Sequence, residues 1–142
     1  MATTQFELVT PTRTLFSGQA EMIVCRAVEG EIAFLANHMP YIGALDIGVV
    51  RIIGPGADNE IVAANEAEIR LAVHGGFVEV KDNQVIMLAD EAELATEVDV
   101  EAARAAEGEA QQAVAASSDD NPDVDAEAAL RWAQVRLEAA SA

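Results

Sequence analysis

A chain of 142 residues carries 25 acidic and 8 basic side chains, a formal net charge of −17. Such a charge repels phosphate backbones and anionic headgroups, which argues against nucleic acid and a membrane surface as partners and for basic or apolar ones. The length suffices for one ordinary domain, or for a domain of about 95 residues with an appendage.

The first four residues hold no basic stretch leading into an apolar segment, and no uninterrupted apolar run approaches about 18 residues. A soluble, unexported chain without direct membrane insertion is expected. Residues 1–90 read as a succession of short strands. Residues 5–9 alternate apolar and polar with period two and end at Thr10-Pro11, where proline removes a ladder donor. Residues 13–16 suggest a second strand, stopped by Ser17-Gly18, and residues 21–28 a third. Cys25, the single cysteine, lies in the third run; it excludes an internal disulfide and reads as a buried, inert thiol.

Residues 29–48, EGEIAFLANHMPYIGALDIG, contain two apolar runs too short for helices, separated by an Asn-His-Met-Pro corner and closed by Gly30 and Gly48. Strand, exposed corner, strand is the natural reading. Another strand follows at 48–53 and a turn-rich stretch at 54–59. Residues 60–68 are compatible with strand or helix. Residues 69–73 alternate cleanly, and His74-Gly75-Gly76 suggests a turn. Phe77 and Glu79 are expected at a buried and an exposed position of the next strand, which pairs with 85–88 across an Asp82-Asn83 hairpin turn. Strands every 8 to 12 residues or so argue for a sandwich or barrel rather than βαβ units.

From Asp90 alanine dominates. Asp99 is placed to open a helix ending near Ala116, residues 117–122 (SSDDNP) break it, and a second helix runs from about Val124 to Ala140. The expected organisation is therefore mainly β with an α tail: an N-terminal antiparallel β-sandwich of about ten short strands over 1–90 and an antiparallel helical hairpin over 91–142. The hairpin's contact faces are expected to be Ala103, Ala106, Ala110, Ala113 and Val114 against Ala126, Ala129, Ala133 and Leu137. Alanines bury little apolar area, so this pair should detach from the sandwich easily.

No catalytic or metal constellation stands out. His38 and His74 lack a carboxylate at ligand spacing, Gly75-Gly76 is followed by no lysine, and no nucleophile sits in a recognisable elbow. Two rivals stay open on the residues alone: a free-standing nucleotide-sensing module, and a small hydrolase using His38 with Ser17 or Asp46.

Four pieces in order carry a resemblance: Phe16-Ser17-Gly18; Glu29-Gly30-Glu31-Ile32-Ala33 with His38 and Pro40; His74-Gly75-Gly76-Phe77-Val78-Glu79-Val80; and the helical tail. Together they resemble the epsilon subunit of the rotary F-type ATP synthase, across residues from about 5 to about 140. Ala33 stands where that family commonly has glycine, and the region between Ile53 and Ile69 looks longer than usual, an insertion or extended hairpin.

The resemblance implies a non-catalytic subunit of the central stalk, binding the gamma subunit and the ring of c subunits and coupling proton flow to ATP synthesis. Its location would be peripheral, on the cytoplasmic face of the inner (plasma) membrane. Glu29, Gly30, Glu31 and His38 become candidates for c-ring contact at the foot of the sandwich, and Met39, Pro40, Phe77 and Glu79 for gamma contact. The tail would reach the alpha and beta subunits.

Some family members bind ATP on the tail through an aspartate and arginines. Here Asp99 and Arg136 match, while Ala102 and Trp132 stand where two arginines would be, so no cofactor is expected. From Asp99 onward ten acids face three bases, and such a tail should dock poorly on an acidic surface, giving weak inhibition of ATP hydrolysis.

Overall fold

A computed structural model of the chain describes residues 2–54 and 68–141. The described strands are β1 (Thr4–Val9), β2 (Thr14–Ala20), β3 (Met22–Ala27), β4 (Gly30–Leu35), β5 (Tyr41–Ile53), β6 (Glu68–Lys81), β7 (Gln84–Ala89) and β8 (Ala92–Leu94). A 3₁₀ turn at Ala95–Glu97 leads to α1 (Val100–Ala116) and α2 (Val124–Ala140).

Two long strands build both layers. The second half of β5 pairs with the first half of β6, and these join β3, β4 and β8; the first half of β5 pairs with the second half of β6, and these join β7, β1 and β2. The inner faces carry Phe6, Leu8, Phe16, Ile23, Phe34, Val50, Ile52, Leu71, Val78 and Met87, all buried in one core. Alternation along each strand dictates this, since residues two apart share a face.

Several sequence expectations are corrected here. Gly48 does not separate two strands, and His74-Gly75-Gly76 is no turn: β5 and β6 run through both sites. The glycines bend β6 instead. Gly75 and Gly76 have φ of 75° and 124°, and a Cβ on Gly76 would lie 2.1 Å from the Leu88 carbonyl oxygen. At this bend β6 exchanges one outer neighbour, β8, for another, β7. Counted by layer, the eight described strands make five in each, which is how ten apparent strands arise.

Ser17-Gly18 likewise lies inside β2, and the sheet is not wholly antiparallel, because β1 pairs with β7 in parallel. The sheet also continues past residue 90 into β8. The ambiguous stretch 60–67 and most of the expected turn at 54–59 lie outside the described residues, while Glu68 opens β6.

Asp82 and Asn83 both adopt left-handed φ, 52° and 58°, as a two-residue hairpin turn of the primed type requires. Cys25 is buried, and burial followed by the nearby Glu31 charge pushes its thiol up to about 12, so it stays protonated.

The helices begin at Asp99 and Asp123, whose carboxylates accept from the backbone N–H of Ala102 and Ala126 at 3.1 and 3.0 Å. Of the expected contact positions, Ala103, Ala110, Ala126 and Ala133 are buried, but Ala129 is exposed and Leu137 only half-buried. The reason is that α2 divides its apolar surface between α1 and the sheet. Val135 and Ala139 pack on Ile47 and Ala72, with Trp132 and Ala128 at the margin.

Candidate functional site: the outer faces of the sandwich

The four candidates for ring contact do not gather in one loop. Glu29 lies in the β3–β4 turn, Gly30 and Glu31 open β4, and His38 follows its far end. At about 3.3 Å per residue, the six-residue β4 holds the two ends about 17–20 Å apart. Since β4 is the edge strand of its layer, the four residues are strung along one border of the sandwich. Glu29 and Glu31 are exposed, and Gly30 takes φ 133°, which its turn requires.

The His38 corner is held from both sides. Its ring meets Phe34 edge to face at 5.1 Å, and Nδ1 shares a hydrogen bond with the Met39 carbonyl at 2.7 Å. The Asn37 backbone N–H donates to Asn83 Oδ1 at 2.7 Å, and Thr4 Oγ1 donates to the Asn83 carbonyl at 2.8 Å. The left-handed Asn83 thus ties the corner to the β6–β7 turn and the start of β1. Met39 and Pro40 project from this braced corner and are exposed.

Phe77 and Glu79 share one face, correcting the expected buried and exposed pair. Two residues apart on β6, both point outward, with Phe77 61 % exposed. The register sets Phe77 between Ala44 of β5 and Leu88 of β7, and Leu88 beside Val9 of β1, an apolar row across four strands. The neighbouring row is Ile42, Glu79, Ile86 and Glu7. Ile42 is 73 % exposed and Leu88 57 %. Sequence reading missed Ile42 and Leu88; each breaks the apolar-in, polar-out alternation, the signal that could have found them.

On the other layer α2 covers the outer face. Arg131 forms an ion pair with Asp46 at 2.7 Å, and Arg26 approaches the same carboxylate at 3.6 Å. Burial pushes the Asp46 carboxyl up, but hydrogen bonds from Arg131 and the Ile47 N–H, with both arginine charges, leave it below its ordinary value. Arg136 lies 2.6 Å from Glu93 in an ion pair and 6.0 Å from the centroid of Trp132. Asp99 caps α1, so each of the two candidate nucleotide ligands already has a partner within the chain.

The hydrolase constellation does not assemble. Ser17 is on β2 opposite Glu7, His38 contacts Phe34 and the Met39 carbonyl, and Asp46 is engaged by arginines. Among the described residues, no group of three or more His, Cys, Asp or Glu side chains is arranged to hold a metal ion, and no helix is long and apolar enough to cross a membrane.

Residues 3–95 match the family model described as ATP synthase, Delta/Epsilon chain, beta-sandwich domain. The ATP synthase epsilon chain of Shouchella clausii is 36 % identical over 140 residues, covering 99 % of this chain and 96 % of that one. This chain belongs to the ATP synthase epsilon-chain family. The epsilon chain of Brevibacillus brevis is 42 % identical over 106 residues, 75 % of this chain and 74 % of its own.

Among solved structures, one from the Euglena gracilis mitochondrial ATP synthase, comprising OSCP, F1 and c-ring, superposes with a TM-score of 0.75 at 25 % identity, over 99 % of this chain and 82 % of the other. A chain of the Tetrahymena thermophila central stalk and c-ring shares the fold, with a TM-score of 0.61 at 16 % identity and 96 % of each chain covered. As an epsilon subunit, the chain joins the family's β-sandwich domain to a C-terminal helical hairpin.

Proposed function

We propose that this epsilon subunit is a non-catalytic part of the rotor, binding the gamma subunit through the outer face of the layer that contains β7, and helping to transmit torque between proton flow and ATP synthesis. The observation that carries the reading is the apolar row Ala44, Phe77, Leu88 and Val9, with Ile42 beside it, exposed, except for the half-buried Val9, on a chain whose net charge is −17. A contiguous apolar surface on so acidic a protein marks a place where another protein sits. Met39 and Pro40 extend the contact from the corner, and Glu79 and Glu7 suit basic or amide groups at its rim.

Glu29, Gly30, Glu31 and His38, along the β4 edge, meet the polar loops of the c-ring. The subunit is then peripheral, at the cytoplasmic face of the inner (plasma) membrane. No cofactor is required: with Arg136 paired to Glu93 and Trp132 in place of a guanidinium, the hairpin binds ATP weakly. Its acidic tail inhibits ATP hydrolysis weakly, for want of charge complementarity with an acidic docking surface.

The test is the affinity of recombinant gamma subunit for the wild-type chain and for Phe77→Asp. A charge at the centre of the row should weaken binding at least about tenfold while leaving the thermal unfolding of this exposed site nearly unchanged. Equal affinity of the two proteins would refute this assignment of the face.

A further inference from the structure

The face beneath α2 carries an electrostatic problem that the strands do not solve by themselves. Arg51 of β5 and Arg70 of β6 are direct cross-strand partners, on the same outer face as Val49 and Ala72. Like charges directly opposed on a sheet repel. Glu68 answers Arg51 at 2.5 Å, and Asp46 answers Arg26 and Arg131. These four arginines, half of the chain's basic side chains, line the groove beside α2. Arg70 differs from the other three. Among the described residues it forms no ion pair, its Nε is buried without a hydrogen-bond partner, and its Nη1 donates to the carbonyl of Ser141 at 3.5 Å.

Ser141 is the C-cap of α2, and the last turn of that helix contains no basic residue. A helix end presents unpartnered carbonyls and roughly half a negative charge, which a nearby cation stabilises. The helix's own sequence does not supply that cation; the sheet does. We propose that Arg70 is the positioning residue of the hairpin: with Arg51 already answered by Glu68, the carboxyl end of α2 supplies the counter-charge that Arg70 needs, and this attraction holds the helix in its seat. When α2 lifts, Arg70 and the helix end both lose their counter-charge, so the docked state is favoured from both sides.

This device concerns docking within one chain and stands apart from the rotor role, so it is tested on the isolated full-length protein. Hydrogen exchange of the α2 amides reports how often the helix opens. Arg70→Gln, which keeps the shape and removes the charge, should raise exchange across 124–140 about three- to tenfold while the β1, β2 and β7 amides keep their protection. Arg70→Lys should retain most of the protection, and wild-type α2 should lose protection with added salt more steeply than Arg70→Gln does.

Unchanged α2 exchange in Arg70→Gln overturns the proposal, and so does an equal loss in Arg70→Lys, which would assign the effect to packing. If Arg70→Gln loosens the sheet as well, the salt series decides. Protection of α2 that stays constant from low salt to about 0.5 M, or that falls equally steeply in the wild type and in Arg70→Gln, overturns the charge mechanism, and a steeper fall in the wild type upholds it, since the Arg131–Asp46 and Arg136–Glu93 pairs are common to both.

Discussion

The ring of Trp132 on α2 meets that of His74 on β6 edge to face, with centroids 5.1 Å apart and planes at 67°. It is the large aromatic contact between a helix otherwise faced with alanine and valine and the layer beneath it. His74 lies beside the β6 bend, so the contact forms where the strand changes layer. The chain's single tryptophan therefore reports on the seating of α2.

Trp132→Ala should weaken that seating more than any alanine substitution on the helix. Removing a half-buried indole is expected to cost about 1–2 kcal/mol, below the value for a fully buried one. Amide exchange across 124–140 should rise by about tenfold, with the β1, β2 and β7 amides unaffected. Conversely, the emission of wild-type Trp132 should shift red in urea before the sheet's circular dichroism signal is lost; a single coincident transition would contradict independent release of the hairpin.

The start of the hairpin is anchored separately. Arg13 donates from both terminal nitrogens to Glu97, at 2.8 and 2.7 Å, and Glu97 also accepts from the Leu94 N–H at 3.1 Å. The Arg13 hydrogen bond, against the opposing effect of burial and with help from Leu94 N–H and the Arg13 charge, lowers the Glu97 carboxyl below its ordinary value.

A carboxyl depressed in the folded state contributes stability that is present above the unfolded value, about 4.3, and lost as pH falls through the folded one. The urea midpoint of wild type should thus exceed that of Glu97→Gln near pH 7, and the gap should close on acidification below about pH 4. Because both side chains are over a third exposed, the gap should amount to no more than about 1 kcal/mol and shrink with salt. A difference that persists unchanged at pH 3 would rule the ion pair out as its source.

Gly76→Ala tests the bend of β6. Its φ of 124° disfavours any side chain, and the added methyl would meet backbone at Leu88 and Ala89, which cannot turn aside as a side-chain tip could. A loss of about 3 kcal/mol or more is expected in urea unfolding. Gly108→Ala on α1 meets open space, and should stabilise by up to about 1 kcal/mol.

The helical tail was legible because its signals are local. Asp99 and Asp123 are N-caps, residues 117–122 break the helix, and both helices end where the composition says. The hairpin turn at Asp82-Asn83 was legible for the same reason, its backbone preference residing in the two residues themselves. Ser17-Gly18, Gly48 and Gly75-Gly76 misled. Glycine permits a turn without compelling one, and here the ladder partners on either side carry the strands through.

The candidate surfaces divide in the same way. Glu29, Gly30, Glu31 and His38 were grouped through the family resemblance, but a linear motif does not tell that an edge strand holds them apart. Ile42 and Leu88 were missed, because in one dimension an outward apolar residue looks like one more member of an apolar run. Phe77 was expected inside for that reason. The register that sets it beside Ala44 and Leu88 is a property of three strands together.

By itself the order of residues determined a β-rich body and an acidic helical tail, which depend on composition, period and local backbone preference, and in four short motifs it carried the epsilon-chain resemblance. Only the tertiary structure decided that β5 and β6 serve both layers, that an apolar row lies outside one of them, and that Arg70 faces the end of α2. Each of these joins residues far apart in the chain, and which distant side chains meet is settled by the packing of the whole core rather than by any segment's own propensity.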